Sequence, residues 1–184
     1  MVADIRPARA SDVDALLAIE NAVFQTDRLS RQSLRRLIGR PSAAVLVAEI
    51  DGEAAGYCIV LFRAGKPTAR LYSIATVSGM RGQGIGRALI GAAEHAVIGH
   101  GQVSLRLEVR EDNARATSIY KRAGYRPIGR KPDYYGDGMA ALRLEKRLVG
   151  VEPGQIGRLA EKATFAVNES FSRLTGLIGR RASR

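Results

Sequence analysis

The chain has 184 residues, 46% of them hydrophobic, and a formal net charge of +11, which suits one compact domain with an appendage. No apolar run approaches the ~18 residues of a membrane span, and the amino terminus lacks the apolar core of a signal peptide, so we expect a cytoplasmic protein. One cysteine, Cys58, and two histidines, His95 and His100, exclude an internal disulfide framework and offer no metal-ligand cluster, so we expect no metal.

The first half of the chain predicts a strand, two helices and then three more strands. In chain order these are a strand at 3–7, helices at 11–24 and 30–38, and strands at 43–50, 53–62 and 71–77. Ser11 and Ser30 are the expected N-caps of the two helices. Asp51-Gly52 joins two apolar runs, and this residue pair is typical of a two-residue type I′ hairpin turn.

The second half of the chain alternates helices and strands. In chain order these are a helix at 84–98, a strand at 103–110, a helix at 113–122, and strands at 125–129 and 139–147. Leu105, Leu107 and Val109 alternate with charged residues, as in a half-exposed strand. Asn113 is the expected N-cap of the helix that follows. The element order predicts an α/β protein with a mixed central β-sheet flanked by helices.

A basic, glycine-rich turn joins the strand at 71–77 to the next helix. Its residues are Arg81, Gly82, Gln83, Gly84, Ile85, Gly86 and Arg87. Glycines allow the backbone to approach an anion closely, and the N–H groups of a first helical turn are unpaired. The helix dipole and the two arginines also favour negative charge. The turn therefore predicts a phosphate site, although it matches neither the P-loop nor the dinucleotide spelling; a connection without a ligand is the alternative.

This turn resembles the R/Q-x-x-G-x-G/A turn of the GNAT superfamily of N-acetyltransferases, which binds the pyrophosphate of acetyl-CoA. Residues 116–125 resemble the family's A-x-x-L-Y-x-x-x-G-F signature, with Ile119 for Leu and Tyr125 for Phe. The predicted element order is also that of the family, and the resemblance covers residues 3–148. It implies a GNAT fold and an acetyl-CoA-dependent N-acetyltransferase in which the amine attacks the thioester directly, without a covalent enzyme intermediate.

The resemblance assigns the acyl donor to three parts of the chain. In the family, the strand before the turn pairs its backbone with pantetheine as an added strand would, which implies Ile74, Ala75 and Thr76. Residues 81–87 would contact the pyrophosphate. Asn113 would contact the pantetheine arm while also capping its helix.

Glu108 and Tyr120 are the candidate catalytic residues. Glu108 lies opposite Leu107 and Val109 in its strand, and a carboxylate there can take a proton from an ammonium directly or through water; a solvated residue on the polar face is the alternative. By resemblance, Tyr120 donates a proton to the departing CoA thiolate, since a phenol is protonated at neutral pH; a core tyrosine is the alternative. Cys58 lies in an apolar strand, so we expect a buried structural thiol rather than an acyl-enzyme nucleophile.

A second resemblance concerns the acceptor amine. Residues 107–110, followed by Asn113 and Tyr120, resemble the ribosomal-protein alanine N-acetyltransferase branch of the family, which implies a protein or peptide N-terminal amine. Tyr134 and Tyr135 resemble the acceptor-side loop of these enzymes and are candidate peptide contacts, with aromatic packing in a hairpin loop as the alternative. A lysine or a small-molecule amine is an alternative acceptor, and a non-catalytic acyl-CoA-binding regulator is an alternative function.

Beyond a domain at residues 1–150, residues 151–184 predict a linker and an amphipathic basic helix, since Ile156, Leu159, Ala163 and later apolar residues recur at helical spacing. We favour a helix that docks on its own domain or on a partner over a membrane-surface helix, in a monomer or a homodimer. The positive charge suits polyanions in general. The chain has no zinc-finger spacing or RNA-binding aromatic motif, so we expect no direct nucleic-acid binding.

Overall fold

Seven strands and four α-helices make up the described part of the chain. The computed structural model describes residues 3–80 and 82–148, so Arg81 and the helix predicted within residues 151–184 lie outside the described residues. Every strand and helix predicted within residues 3–148 is present, some with shifted ends. In chain order they are β1 (Asp4–Pro7), α1 (Val13–Val23), α2 (Arg31–Leu37), β2 (Ala43–Ile50), β3 (Glu53–Leu61), β4 (Thr68–Thr76), α3 (Ile85–Gly99), β5 (Ser104–Arg110), α4 (Ala114–Arg122), β6 (Arg126–Lys131) and β7 (Ala141–Arg147).

The start of α1 corrects one prediction. Ser11 is not the N-cap: it lies inside a 3-10 turn, and α1 begins after Asp12. The Asp12 carboxylate accepts hydrogen bonds from the Arg6 guanidinium at 2.8 and 2.9 Å and from the Arg9 backbone N–H at 2.6 Å. The Arg6 contact, above all, lowers the pKa of Asp12. These contacts stabilise the tighter turn that precedes the helix.

Local signals placed the second helix and the first hairpin correctly. At the start of α2, Ser30 Oγ accepts a hydrogen bond from the Ser33 N–H at 3.1 Å. Between β2 and β3, Ile50 pairs with Glu53, and the connecting Asp51-Gly52 has φ angles of 52° and 84°. Two positive φ angles are the mark of a type I′ turn, so the predicted hairpin is confirmed.

The strands form one mixed sheet in the order β1-β2-β3-β4-β5-β7-β6. β4 and β5 run parallel, whereas the other neighbouring pairs are antiparallel. β4 begins at Thr68, earlier than predicted, because its first, partly polar residues pair with β5. This parallel pairing ends at Leu71 with Leu107, although β4 continues to Thr76 and β5 to Arg110. The two strands separate beyond that pair, and we call the opening between them the β4–β5 fork.

A β-bulge lies where the fork begins. Ile59 pairs with Ser73 and Val60 pairs with Leu71, so Tyr72 has no partner on β3. A bulge bends its strand and increases the local twist. Because the bulge directly follows the last β4–β5 pair, the bend accounts for the separation of the end of β4 from β5.

Helices cover both faces of the sheet. α3 packs Leu89 and Val97 against one face, in a core that includes Leu107 of β5. α1 and α2 pack Leu16 and Leu34 against the opposite face of β2, β3 and β4. Each fully buried side chain of this size contributes about 1.5–3 kcal/mol to folding. None of the described helices is both long enough and apolar enough to cross a membrane.

Candidate active site

A cavity of about 1290 Å³ lies where the end of β4, the start of α3 and one side of α4 meet. Most of the residues predicted to bind the acyl donor line this cavity, together with the predicted catalytic acid. They are Ile74, Ala75, Thr76, Gly82, Gly84, Ile85, Gly86, Arg87, Asn113 and Tyr120. Gln83 is exposed and does not line the cavity, and Arg81 lies outside the described residues.

The glycine-rich turn leaves the start of α3 open. Gly82 and Gly84 have φ angles of 89° and 80°, which residues with a side chain rarely adopt. A Cβ built at either position, or at Gly86, would meet no atom of residues 3–80 or 82–148 within 4 Å, so these residues leave the space beside the backbone free. Gly84 is the N-cap and supplies no side-chain hydrogen bond. The first N–H groups of α3 are therefore available to an anion, and Arg87 adds positive charge beside them.

The end of β4 has a free edge along the cavity. Residues 73–76 pair with β3 on one side, and within the described chain β5 does not pair with them on the other. Ile74, Ala75 and Thr76 of this segment line the cavity. Their backbone groups can therefore receive an extended ligand as an added strand. This edge and the open helix start fit the pantetheine arm and the pyrophosphate of acetyl-CoA.

α4 supplies Asn113 and Tyr120 to the cavity wall. Asn113 Oδ1 accepts a hydrogen bond from the Ala116 N–H at 3.0 Å, which confirms the predicted N-cap. Tyr120 is 8% exposed and packs edge-on against Tyr125, with ring centroids 5.8 Å apart. Burial raises the pKa of Tyr120 above that of a free tyrosine, with smaller contributions from Cys58 and Tyr135. The phenol is therefore protonated at neutral pH, as a proton donor must be.

Glu108 lies on the opposite face of β5 from this cavity. Its two sequence neighbours are buried in the core with α3, as the alternation predicts. Glu108 Oε2 accepts a hydrogen bond from Arg70 Nε at 2.8 Å, and Oε1 lies 3.4 Å from Lys131 Nζ and 3.9 Å from Arg143 Nε. We call Glu108, Arg70, Lys131 and Arg143 the Glu108 cluster. The structure thus places Glu108 among cations and not beside Tyr120, and Glu108 does not line the cavity.

Tyr134 and Tyr135 lie in the loop between β6 and β7, where their rings pack edge-on with centroids 5.1 Å apart. Arg70 donates a hydrogen bond to the Tyr134 hydroxyl. Burial raises the pKa of Tyr135 to about 12; Tyr134 and, more weakly, Glu108 act in the same direction, whereas Arg110 opposes them. Tyr135 packs on Tyr134, which contacts Arg70, so it lies beside the Glu108 cluster. The aromatic packing is present, while peptide contact by the two tyrosines stays a prediction.

The sequence of residues 13–125 matches the family described as acetyltransferase (GNAT). The chain belongs to this family. A Bacillus subtilis protein provisionally named ribosomal protein bS18-alanine N-acetyltransferase is 33% identical over 138 residues, which cover 73% of this chain and 88% of that protein. The predicted family and enzyme class, an N-acetyltransferase, are therefore confirmed.

Solved structures confirm the GNAT fold of this acetyltransferase. The ribosomal-protein-S18-alanine N-acetyltransferase of Escherichia coli superposes with a TM-score of 0.72 at 23% identity, covering 82% of this chain and 97% of that one. The PaiA N-acetyltransferase of Thermoplasma acidophilum, solved in complex with coenzyme A, superposes with a TM-score of 0.66 at 20% identity, covering 80% and 99% of the two chains.

The acetyltransferase cavity has charged walls that the sequence analysis missed. Arg115 and Arg122 of α4, Glu94 of α3 and Lys146 of β7 line it, and Lys146 Nζ donates to the Glu94 carboxylate at 2.9 and 2.7 Å. Arg115 and Arg122 are seven residues apart and share one side of α4, so their spacing could have predicted that these two cations lie together. The position of Lys146 could not be predicted from neighbouring residues, because β7 lies near the cavity only as a result of the strand order in the sheet.

A buried carboxylate, Glu20 of α1, was also missed. It is 2% exposed and accepts hydrogen bonds from the Leu29 N–H at 2.7 Å and from the Tyr57 hydroxyl. The Tyr57 hydroxyl lies 3.2 Å from Ser73 Oγ, at the start of the fork. Burial raises the pKa of Glu20. No local pattern indicated its burial, because a helix glutamate is normally exposed. Its hydrogen bonds connect the segment after α1 to β3 and, through Tyr57, to β4.

Cys58 is a buried structural thiol in the acetyltransferase, as predicted. Its Sγ contacts the Leu89 carbonyl oxygen at 3.7 Å, and burial raises its pKa to about 12, which disfavours the nucleophilic thiolate. Across residues 3–80 and 82–148, no group of three or more His, Cys, Asp or Glu side chains is placed to hold a metal ion.

Proposed function

We propose that this protein transfers an acetyl group from acetyl-CoA to the primary amine of a protein or peptide, at its N-terminus. The observation that carries the proposal is the cavity at the β4–β5 fork, where the free edge of β4 meets the open start of α3. The family member from T. acidophilum binds coenzyme A, and the B. subtilis relative is named for a ribosomal-protein alanine. Both names support this choice of donor and acceptor.

In this proposal the acyl donor spans the cavity. The pyrophosphate contacts the backbone N–H groups of residues 82–87, and pantetheine extends along residues 74–76 as an added strand. The Asn113 side chain uses Oδ1 for its cap and has its NH₂ group available to the pantetheine arm. Arg115 and Arg122 supply further positive charge to the phosphates.

The proposed reaction needs a neutral amine and a protonated leaving group. Glu108 takes a proton from the ammonium through a water molecule, because cations already surround its own oxygens. The amine nitrogen then attacks the thioester carbonyl carbon and the C–S bond breaks. Tyr120 gives its hydroxyl proton to the CoA sulfur and is reprotonated by solvent. Acetyl-CoA supplies the acyl group, and no residue of the chain becomes acetylated.

Release of the CoA thiol against a panel of amines tests the proposal. The panel contains peptides with free N-termini, lysine peptides with blocked N-termini, and small amines. Fastest turnover of free N-termini supports the proposed acceptor. Faster turnover of lysines or small amines assigns the acceptor to those classes instead. Tight acetyl-CoA binding without turnover of any amine overturns the catalytic role and favours an acyl-CoA-binding regulator.

A further inference from the structure

The Glu108 cluster presents positive charge at the surface. The three cations lie 2.8, 3.4 and 3.9 Å from one carboxylate. The Glu108 side chain is only 6% exposed, whereas Arg70, Lys131 and Arg143 are 39%, 40% and 29% exposed. The carboxylate is therefore covered, and the cations that cover it face solvent with more positive charge than Glu108 neutralises.

The arginines on either side of Glu108 along β5 are paired with other carboxylates. Arg106 and Arg110 lie on the same face of β5 as Glu108, because alternate strand residues share a face. Arg106 pairs with Glu145 at 2.7 Å, and Arg110 pairs with Asp112 and Asp137 at 3.2 and 2.9 Å. These two arginines are matched by carboxylates of their own. Along β5 the flanking arginines are thus balanced, whereas the Glu108 cluster has more cations than carboxylates.

One donor in the cluster has no hydrogen-bond partner among the described residues. Arg143 Nε is buried and makes no hydrogen bond to any residue of the described chain. Beside it, Lys131 Nζ lies 4.9 Å from the centroid of the Tyr134 ring, and Arg70 donates to the Tyr134 hydroxyl. A buried donor without an acceptor is unfavourable. The Glu108 cluster therefore combines a donor without a hydrogen-bond acceptor, excess positive charge and the neighbouring aromatic ring of Tyr134.

The Glu108 cluster lies on the side of the β4–β5 fork from which an acceptor amine can approach. Glu108 is the first residue of β5 after the last parallel pair, Leu71 with Leu107. The cluster consequently lies at the mouth of the β4–β5 fork, on the face opposite the donor cavity. An amine that approaches the proposed thioester position from that face would pass the cluster.

We propose that the Glu108 cluster recognises a carboxylate on the acceptor, so that this acetyltransferase prefers amines that carry a carboxylate close by. The inference rests on the function proposed above. An acidic side chain early in a peptide and the α-carboxylate of a free amino acid both supply this chemistry. A basic acceptor is disfavoured, because the excess positive charge repels it.

Binding to the full-length protein loaded with CoA tests this preference. Titration calorimetry compares peptides that begin Ala-Asp, Ala-Asn and Ala-Lys and are otherwise identical, and compares alanine with alaninamide. We expect at least one carboxylate ligand to bind about tenfold more tightly than its amide, with Ala-Lys weakest. The preference should shrink at about 1 M salt, where charges are strongly screened. A preference for Ala-Asp over Ala-Asn identifies a side-chain carboxylate, and a preference for alanine over alaninamide identifies the α-carboxylate. Equal affinity within both pairs overturns the inference.

Matched variants locate the preference in the cluster. The double variant Lys131→Gln with Arg143→Gln leaves Glu108 and Arg70 in place, and its acid-to-amide affinity ratio should fall close to one. The control Lys121→Gln removes a lysine that is exposed on α4, on the other face of the sheet, and should keep the wild-type ratio. An unchanged ratio in the double variant overturns the inference.

CoA release measured on the same ligands separates this inference from the proposed function. If the enzyme turns over amines without preferring the acidic acceptors, the inferred carboxylate preference is overturned and the proposed function is not. Acidic preference in binding, with no turnover of any amine, overturns the catalytic proposal and supports a carboxylate site at the fork.

Discussion

At the scale of single residues, burial suits Tyr120 to the role of proton donor. The side chain is 8% exposed, and its pKa is raised because an apolar environment disfavours the phenolate. At neutral pH the hydroxyl therefore keeps its proton until negative charge develops on an acceptor beside it. The CoA sulfur develops such charge as the C–S bond breaks.

We expect Tyr120→Phe to lower turnover by about 100-fold or more, since a positioned general acid contributes on that order. Acetyl-CoA affinity, measured by titration calorimetry, should change little because the ring remains. Tyr125→Phe is the matched control: it removes the hydroxyl of the edge-packed neighbour, which does not line the cavity. Equal turnover of the two variants would exclude Tyr120 as the acid.

Glu108→Gln tests the base, because glutamine keeps the shape of the side chain and loses its proton affinity. We expect turnover to fall by about 100-fold while acetyl-CoA binds as in the wild type. Glu145→Gln removes a carboxylate from the same face, where Glu145 pairs with Arg106, and should retain turnover. If the two variants lose activity equally, the loss reflects the charge of the face and not a proton transfer by Glu108.

At the scale of elements, the start of α3 is suited to an anion because no described residue occupies it. A Cβ at Gly86 meets no atom within 4 Å, and this glycine does not have a positive φ angle. A side chain placed there enters open space without straining the backbone. A substitution at Gly86 can therefore test ligand binding without destabilising the turn.

Gly86→Asp should weaken acetyl-CoA binding by at least about tenfold, because its carboxylate would lie beside the pyrophosphate. The same charge near a helix N-terminus is favourable, so the melting temperature should hold or rise. Gly86→Asn, of equal size without the charge, is the control and should weaken binding less. The measurements are titration calorimetry and thermal unfolding, and equal affinities for the Asp and Asn variants would argue against a phosphate at this position.

The sheet shows which element features were readable from the sequence. Asp51-Gly52 predicted the hairpin, because a type I′ turn needs a positive φ angle at both of its central residues and few residue types adopt one readily. The bulge at Tyr72 was not predicted, because it depends on how β3 pairs with β4. The fork follows from that bulge, so the sequence indicated a donor site but not the opening that exposes the edge of β4.

At the scale of the whole molecule, Glu20 links stability to pH. Burial raises its pKa in the folded chain, while the Leu29 N–H and the Arg28 charge oppose that shift. The native state therefore binds more protons than the unfolded state, and this group's contribution to stability falls as pH rises above about 4.5.

We expect Glu20→Gln to gain stability relative to the wild type as pH rises from 4.5 towards neutrality, because the glutamine cannot ionise and still accepts from the Leu29 N–H. Urea unfolding at a series of pH values measures the difference in the free energy of unfolding. Glu53→Gln, at an exposed position on β3, is the control and should show a much flatter difference. A pH-independent difference for Glu20→Gln would contradict the raised pKa.

Two predictions about the whole molecule have no test in the described residues. The cytoplasmic location stays a prediction. The role of residues 151–184 also stays a prediction, because the helix expected there lies outside the described part of the chain.

By itself, the sequence determined the order of the elements, the hairpin and the glycine-rich turn, because caps, glycines and periodicity act over a few neighbouring residues. Through the family resemblance it also indicated Tyr120, which lines the cavity. Only the tertiary structure decided the surroundings of Glu108, since Arg70, Lys131 and Arg143 come from β4, β6 and β7. Contacts of this kind depend on the register between strands far apart in the chain, and no local pattern encodes that register.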